Sequence, residues 1–309
     1  MNFVIKQAIK RSFERAAAYY DAAADLQQEV ARRLDDHLDG VKIDPQRILD
    51  AGCGTGYGTH LLRSRYPRAD LVGLDLAEAM LQRATRRLRG NAWQQLRQRL
   101  PFSFASHARF YPLCGDLEQL PLARATFDMA WSSLALQWVE GGIAGLQASF
   151  QQMHRVLRPG GLFIFSSFGP DTLQELRAAS AGLDGHQHVN RFIDMHDVGD
   201  ALVHAGFSHP VMEMERITLT YGDLPALLRD LKNIGAHTVL EGRREGLMGK
   251  SVWRQLQQNY EKYRQAGRLP ATYEVVYGHA WAERAQKMAD GRQIIEFQRN
   301  RVRGAGEFR

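Results

Sequence analysis

The hydrophobic positions of this chain change period as it proceeds. Between residues 2 and 38, Phe13, Ala16, Ala17, Tyr20, Ala24, Leu26, Val30 and Leu34 recur at helical spacing, which predicts one long helix laid on the rest of the protein. Beyond it, short apolar runs of strand length alternate with helical stretches. The pattern predicts strands starting at Ile48 and over 71–75, 109–113, 127–133, 162–168, 212–221 and 273–281, with helices over 59–65, 78–88, 148–157, 172–181 and 192–205. Such alternation specifies an α/β architecture, a largely parallel sheet of seven strands with helices on both faces. Arg158-Pro159-Gly160-Gly161 ends the 148–157 helix, since proline disfavours helix before it and glycine caps the end. Positions 222–272, about fifty residues of mixed helical pattern, are too long for a hairpin connection and read as a helical cap inserted before the last strand. The expected organisation is a helical lid (1–45), a sheet domain (46–221 and 273–282), the cap (222–272) and a polar, basic tail (283–309).

Chemistry concentrates at the first strand–helix junction, Ile48-Leu49-Asp50-Ala51-Gly52-Cys53-Gly54-Thr55-Gly56-Tyr57-Gly58. Alternate glycines leave little room for side chains, so a flat or polar ligand can lie against the peptide groups. The spacing Gly52-x-Gly54-x-Gly56 is close to the dinucleotide fingerprint but not the same. Asp50 precedes the turn, and Asp75 stands at the tip of the second strand, where an acid can accept hydrogen bonds from ribose hydroxyls. This D-x-G-x-G-x-G pattern resembles motif I of class I S-adenosylmethionine methyltransferases, and the fold is expected to be their Rossmann-like one. The resemblance implies a cofactor site built from Asp50, Gly52, Gly54, Gly56, Asp75, Leu76, Asp116, Leu117 and Ser132, with Asp116 beside the adenine.

Composition narrows the partners. No apolar run reaches the ~18 residues of a membrane span, and Lys6, Lys10 and Arg11 interrupt any leader-like start, so a cytoplasmic protein is expected. Two cysteines make no disulfide framework. The net charge of +6 permits an acidic partner without demanding nucleic acid. A run without acids, 81–100, carries six arginines including Arg86 and Arg87, which is either a solvated face or a dock for an acidic protein. His186, His188 and His196 match no closed metal-site spacing, so no metal is expected.

The later stretches are more specific. Arg11-Ser12-Phe13, Tyr20-Asp21, Ser166-Ser167-Phe168-Gly169-Pro170-Asp171-Thr172-Leu173, His188-Val189-Asn190-Arg191-Phe192 and Tyr273-Glu274-Val275-Val276-Tyr277-Gly278-His279-Ala280-Trp281 together resemble the malonyl-acyl carrier protein O-methyltransferases of biotin synthesis. The insertion at 89–107 and the tail beyond Trp281 depart from that pattern. The resemblance implies methylation of the free carboxylate of a malonyl thioester, carried by acyl carrier protein or by coenzyme A; a monomer without membrane or nucleic-acid partners is expected. Arg191 is the expected carboxylate fork and Tyr20 the expected hydroxyl donor; a surface ion pair and a core tyrosine are the plain alternatives. A quinone-type C-methyltransferase, using His188 or His196 as base, and a cofactor-binding protein without turnover are the rival readings.

Overall fold

A computed structural model of the chain describes residues 2–89, 109–236 and 248–282. Arg97 and Arg99 of the acid-free run, nearly all of the 89–107 insertion and the 283–309 tail lie outside the described residues.

Seven strands form one sheet: β1 (Arg47–Ala51), β2 (Asp70–Asp75), β3 (Phe110–Cys114), β4 (Phe127–Ser133), β5 (Leu157–Phe168), β6 (Ser208–Tyr221) and β7 (Leu269–Ala282), in the order β3-β2-β1-β4-β5-β7-β6. The pairs from β3 to β5 are parallel, and β7 runs antiparallel between β5 and β6. Strand period fills both faces. Ile48, Met129, Trp131, Leu162 and Ile164 point into one core, while Leu49, Ala130, Phe163 and Phe165 point into the other. On the second face α6 (Gly142–Val156) buries Leu146, Phe150, Met153 and Val156, and α8 (Met195–His204) buries Val198, Ala201 and Leu202. The first face is covered by α3 (Asp25–Asp36), α7 (Gln174–Ser180), α9 (Leu224–Asn233) and α10 (Lys250–Glu261). The helices α4 (Tyr57–Arg65) and α5 (Glu78–Leu88) follow β1 and β2.

Four expectations change. The N-terminal stretch is three helices, not one: α1 (Asn2–Ala16), α2 (Tyr20–Ala23) and α3. Alanine-rich sequence would carry a continuous helix, but side-chain pins to the sheet domain, described below, turn the chain at 17–19. Arg158–Gly161 belongs to β5 instead of preceding it: Phe127 pairs with Leu157 and Met129 with Leu162, so these residues bulge from the ladder, with Gly160 at φ +81°. Residues 192–194 are outside α8, because the Asp194 carboxylate caps that helix by accepting the His196 N–H at 2.8 Å. Residues 269–272, assigned to the cap from sequence, extend β7.

The strand order reverses between β1 and β4, which opens a crevice at their carboxyl ends. The glycine turn after β1 and the Ser133-Leu134-Ala135 turn after β4 form its walls.

Candidate functional site

The three glycines of the turn have different jobs. Gly52 sits at φ +83°, and a Cβ there would stand 2.3 Å from the Ala135 Cβ, so it lets the two crevice walls meet. Gly56, at φ +80°, packs on α5, where a Cβ would lie 2.9 Å from the Ala84 Cα. Only Gly54, at φ +52°, would turn a Cβ into open space. It is the cradle position. Gly56, expected among the ligand contacts, is a packing glycine and does not line the crevice.

Asp75 organises this turn. One carboxylate oxygen accepts the Gly54 N–H at 2.9 Å and the other the Ala77 N–H at 2.8 Å. Burial raises its pKa to about 6, against the pull of those two N–H bonds. Asp50 lies below the turn, accepting the Thr59 hydroxyl at 2.5 Å. Burial raises Asp50 to about 7, with the Thr59 bond opposing and the Asp75 charge adding.

Two adjoining cavities fill the crevice. The first, about 740 Å³, is lined by Gly52, Gly54, Asp75, Leu76, Asp116 and Leu117. The second, about 480 Å³, borders Asp50, Asp21 and Trp131, whose Nε1 is a buried donor without a partner among the described residues. Tyr20, Gly52, Gly54 and Ser133 belong to both. Seven of the nine expected cofactor residues thus line one crevice, and Gly56 and Ser132 lie behind its wall. Ser132 is fully buried and donates its hydroxyl to the Ala51 carbonyl at 2.8 Å; its neighbour Ser133 takes the place at the cavity wall. Strand alternation decides this, and a shift of one residue in the reading exchanges them.

The N-terminal helices close over the crevice through charged pins. Lys6 of α1 pairs with Asp116 and, at 2.9 Å, with Glu118. Burial lowers the Lys6 pKa, but the two carboxylates outweigh it and hold the ammonium above its usual range. Asp116, expected to face an adenine, is therefore also the anchor of the lid. Glu14 accepts the Glu78 and Ala79 N–H groups at 2.7 and 3.1 Å, so a lid residue satisfies the open N-terminus of α5. Asp21 accepts the Thr55 hydroxyl at 2.6 Å and pairs with Arg87 at 2.8 Å. Tyr20, beside Asp21, is held over both cavities; burial, then the Asp75 and Asp21 charges, push its phenol well above the usual tyrosine range, so it is a neutral hydroxyl at ordinary pH. Sequence reading missed Lys6, Glu14, Asp21 and Thr55, because no local pattern marks partners up to 110 positions apart.

Arg87 is thus engaged inside the protein, whereas Arg86 on the same helix is exposed. We expect Arg87→Glu to weaken cofactor binding about tenfold, the scale of one lost charged hydrogen bond, and Arg86→Glu to leave it unchanged. Calorimetric titration of the two variants checks this; equal effects would contradict it.

A third cavity, about 970 Å³, opens beside the first two under α9 and the 188–192 loop. Trp138 belongs to its wall and to that of the first cavity, and Gln27 to its wall and that of the second. Phe13 of the lid packs edge-on against Trp138, with centroids 5.3 Å apart and planes at 87°. Arg191 is exposed and does not line this chamber; its neighbours Asn190 and Phe192 do. Loop geometry turns adjacent side chains apart, which spacing does not reveal.

A glycine turn after β1, an acid at the tip of β2 and a lone antiparallel strand β7 define a class I S-adenosylmethionine-dependent methyltransferase. A family model described as "Methyltransferase domain" matches residues 49–165. A candidate methyltransferase from Bacillus halodurans shares the fold at a TM-score of 0.56 and 16% identity, over 83% of this chain and 100% of that one. The malonyl-[acyl-carrier protein] O-methyltransferase of Laribacter hongkongensis is 54% identical over 94% of this chain and 95% of its own length, and that of Gallionella capsiferriformans 50% identical over 95% and 97%. The chain belongs to the malonyl-[acyl-carrier protein] O-methyltransferase family.

The residues present fit the cofactor. The open cradle at Gly54, the Asp75 carboxylate and the apolar Leu76 and Leu117 suit a nucleoside, and Asp50 and Asp21 suit a cationic end. A cation favours the ionised forms of Asp50 and Asp75, whose pKa values stand at about 7 and about 6, so below those values protons must leave as it binds. We expect cofactor affinity to fall as pH drops from ~7.5 toward ~5.5, by up to roughly tenfold per unit for each proton displaced. Asp50→Asn should retain only the Asp75 part of the fall. A dissociation constant independent of pH over this range would refute the expectation. For the cofactor-free fold the sign is opposite: both raised values contribute stability that is full below the unfolded value near ~4 and lost as pH rises through about 6 and 7.

Proposed function

We propose that this enzyme methylates the free carboxylate of a malonyl group carried by acyl carrier protein, the charge-masking step that opens biotin synthesis. The observation that carries the reading is the composition of the 970 Å³ chamber. Among the described residues no carboxylate lines it, and the groups able to carry positive charge are His188 and Lys232. An anionic acyl group on an apolar arm suits such a wall, and the names of the relatives agree.

S-adenosylmethionine, when bound, supplies an electrophilic methyl group. A carboxylic acid with a pKa near ~4 is already ionised at neutral pH, so the chain needs no general base. Its task is to hold an oxygen in line and keep water out, and positioning of this kind is worth roughly 7–11 kcal/mol. Trp138 and Gln27, each shared by two cavities, mark the boundary where donor and acceptor meet. Phe13 on Trp138 seals the lid side. Tyr20 offers a neutral hydroxyl at the cofactor end of that boundary. Both cysteines are free, which agrees with a reducing cytoplasm.

The carrier must deliver its thioester from the side of the chamber. The α5 arginines lie over β2 and β3, at the opposite end of the sheet from β7. Lys232 is exposed at the chamber, and Arg229 and Arg191 are exposed close by in the chain. These three make a better basic rim for an acidic carrier than Arg86. We expect the double charge reversal Arg229→Glu, Lys232→Glu to raise KM for carrier-bound substrate about tenfold at low salt, with kcat nearly unchanged. Reversal at Arg86 should leave KM alone; the opposite ranking would move the dock to α5.

The reading itself is tested by methyl transfer from labelled S-adenosylmethionine to malonyl-acyl carrier protein, with acetyl-acyl carrier protein as control. Transfer to the malonyl form alone supports it. No transfer to either, with cofactor still bound, overturns it.

A further inference from the structure

The chamber wall contains a paired histidine that the expected chemistry does not use. His188 lines the chamber, and its Nε2 lies 3.0 Å from Asp184 Oδ1. Both side chains are largely withdrawn from solvent, at 15% and 8% exposure. The same Asp184 oxygen accepts the His186 N–H at 3.2 Å, which fixes the carboxylate in the loop. A carboxylate oxygen only accepts, so Nε2 is the protonated nitrogen, and Nδ1 is left for whatever enters the chamber. An acid behind a histidine sets the ring's orientation and supports a positive charge on it.

We propose that His188, oriented by Asp184, binds the carboxylate of the acyl substrate, donating to it through Nδ1 as an imidazolium. This rests on the malonyl reading above and assigns the anion-binding role, expected from sequence at Arg191, to a different residue. Three features place it there. Arg191 is exposed and absent from the wall, while His188 is in it. Lys232, the other group of positive charge, is solvent-exposed and stands at the rim, where it meets the outer end of an arm rather than the acyl end. A methyl ester product carries no charge, so an imidazolium that binds the malonyl anion holds substrate more tightly than product. His188 is a binding residue in this scheme and takes no proton from carbon or oxygen.

The test compares the affinity of the full-length protein for malonyl-pantetheine with its affinity for the methyl ester of the same thioester. It is read by calorimetry in the presence of S-adenosylhomocysteine, alongside the affinity for S-adenosylhomocysteine itself. Wild type is expected to prefer the free acid by about tenfold or more, the scale of one charge-assisted hydrogen bond. His188→Leu should bring the two affinities together and leave that for S-adenosylhomocysteine unchanged. His188→Gln, which keeps an N–H donor, should restore part of the preference, and Asp184→Asn should reduce it without abolishing binding. A His188→Leu protein that keeps the wild-type preference overturns the proposal, as does a loss confined to kcat, which would make the histidine a base. If His188→Leu does not fold, Asp184→Asn decides by the same ratio. Failure of wild type to methylate malonyl-acyl carrier protein overturns the malonyl reading and this proposal with it. Methylation with an unchanged ratio overturns the proposal alone.

Discussion

Asp75→Ala is expected to weaken S-adenosylmethionine binding by about 100-fold or more, the largest effect of any single side chain on the cofactor. The carboxylate accepts two backbone N–H groups, from Gly54 and Ala77, and lines the first cavity. Hydrogen bonds to a charged acceptor are worth about 1.5–3 kcal/mol each, and a buried N–H left without a partner adds its own penalty. Removing the acid therefore releases the cradle residue Gly54 and the entry to α5 together, besides any contact to ribose. Asp75→Asn separates these contributions. Its amide keeps one acceptor oxygen but turns an N–H toward one of the two donors, so it should bind almost as poorly as alanine. Calorimetric titration with a parallel thermal melt checks both variants. Near-wild-type affinity in Asp75→Asn would mean that the turn, not the charge, is what binding requires.

The second large effect concerns stability and separates two glycines that look alike in sequence. Gly56→Val is expected to destabilise the fold by roughly 2–5 kcal/mol: a β-branched residue is forced to φ +80°, and its Cβ is driven into the backbone of α5, 2.9 Å from the Ala84 Cα. For a chain of this size that is a fall in Tm of several degrees, on the order of 5–15 °C. Gly54→Ala should behave differently. Its Cβ meets nothing within 4 Å, so the melt falls only by the roughly 1–2 kcal/mol of left-handed backbone strain at φ +52°, while the methyl group occupies the cradle and lowers cofactor affinity. Differential scanning calorimetry and titration on the two proteins make the comparison. A Gly54→Ala protein that loses as much Tm as Gly56→Val, with normal affinity, would reverse the two roles.

The lid and the cofactor crevice are coupled by design of their charges. Lys6, Glu14 and Asp21 each reach a different element around the crevice: the turn after β3, the start of α5 and the glycine turn. Each pin is partly exposed and modest singly. Together they hold Tyr20 over both cavities and Phe13 against Trp138, so closing the lid and completing the two walls are one event. The third cavity, by contrast, is walled by α7, α9, the 188–192 loop, Gln137 and Trp138 over Phe168 and Tyr273 of the sheet, and among the described residues no carboxylate lines it.

Local period and local backbone demand carried most of the architecture. Continuous apolar runs in β1, β4 and β5 have to be buried on both faces, and only a sheet between helix layers does that. Glycines at positive φ, an acid at the tip of β2 and a proline–glycine stop after α6 are local requirements, and all were legible as residue types at fixed spacing. The long stretches shared with relatives carried the family. Three-dimensional packing set which face each residue meets. Strand alternation turned Ser133 rather than Ser132 to the cavity, close helix approach made Gly56 a packing residue, and loop direction put His188 in the chamber wall and Arg191 outside it. It also decided that Arg87 serves the lid and that the N-terminal helix is broken in three, since both follow from partners far away in the chain. The physical reason is the same in each case: a side chain's neighbours across space are set by packing and long-range charge, and neither leaves a period in the sequence.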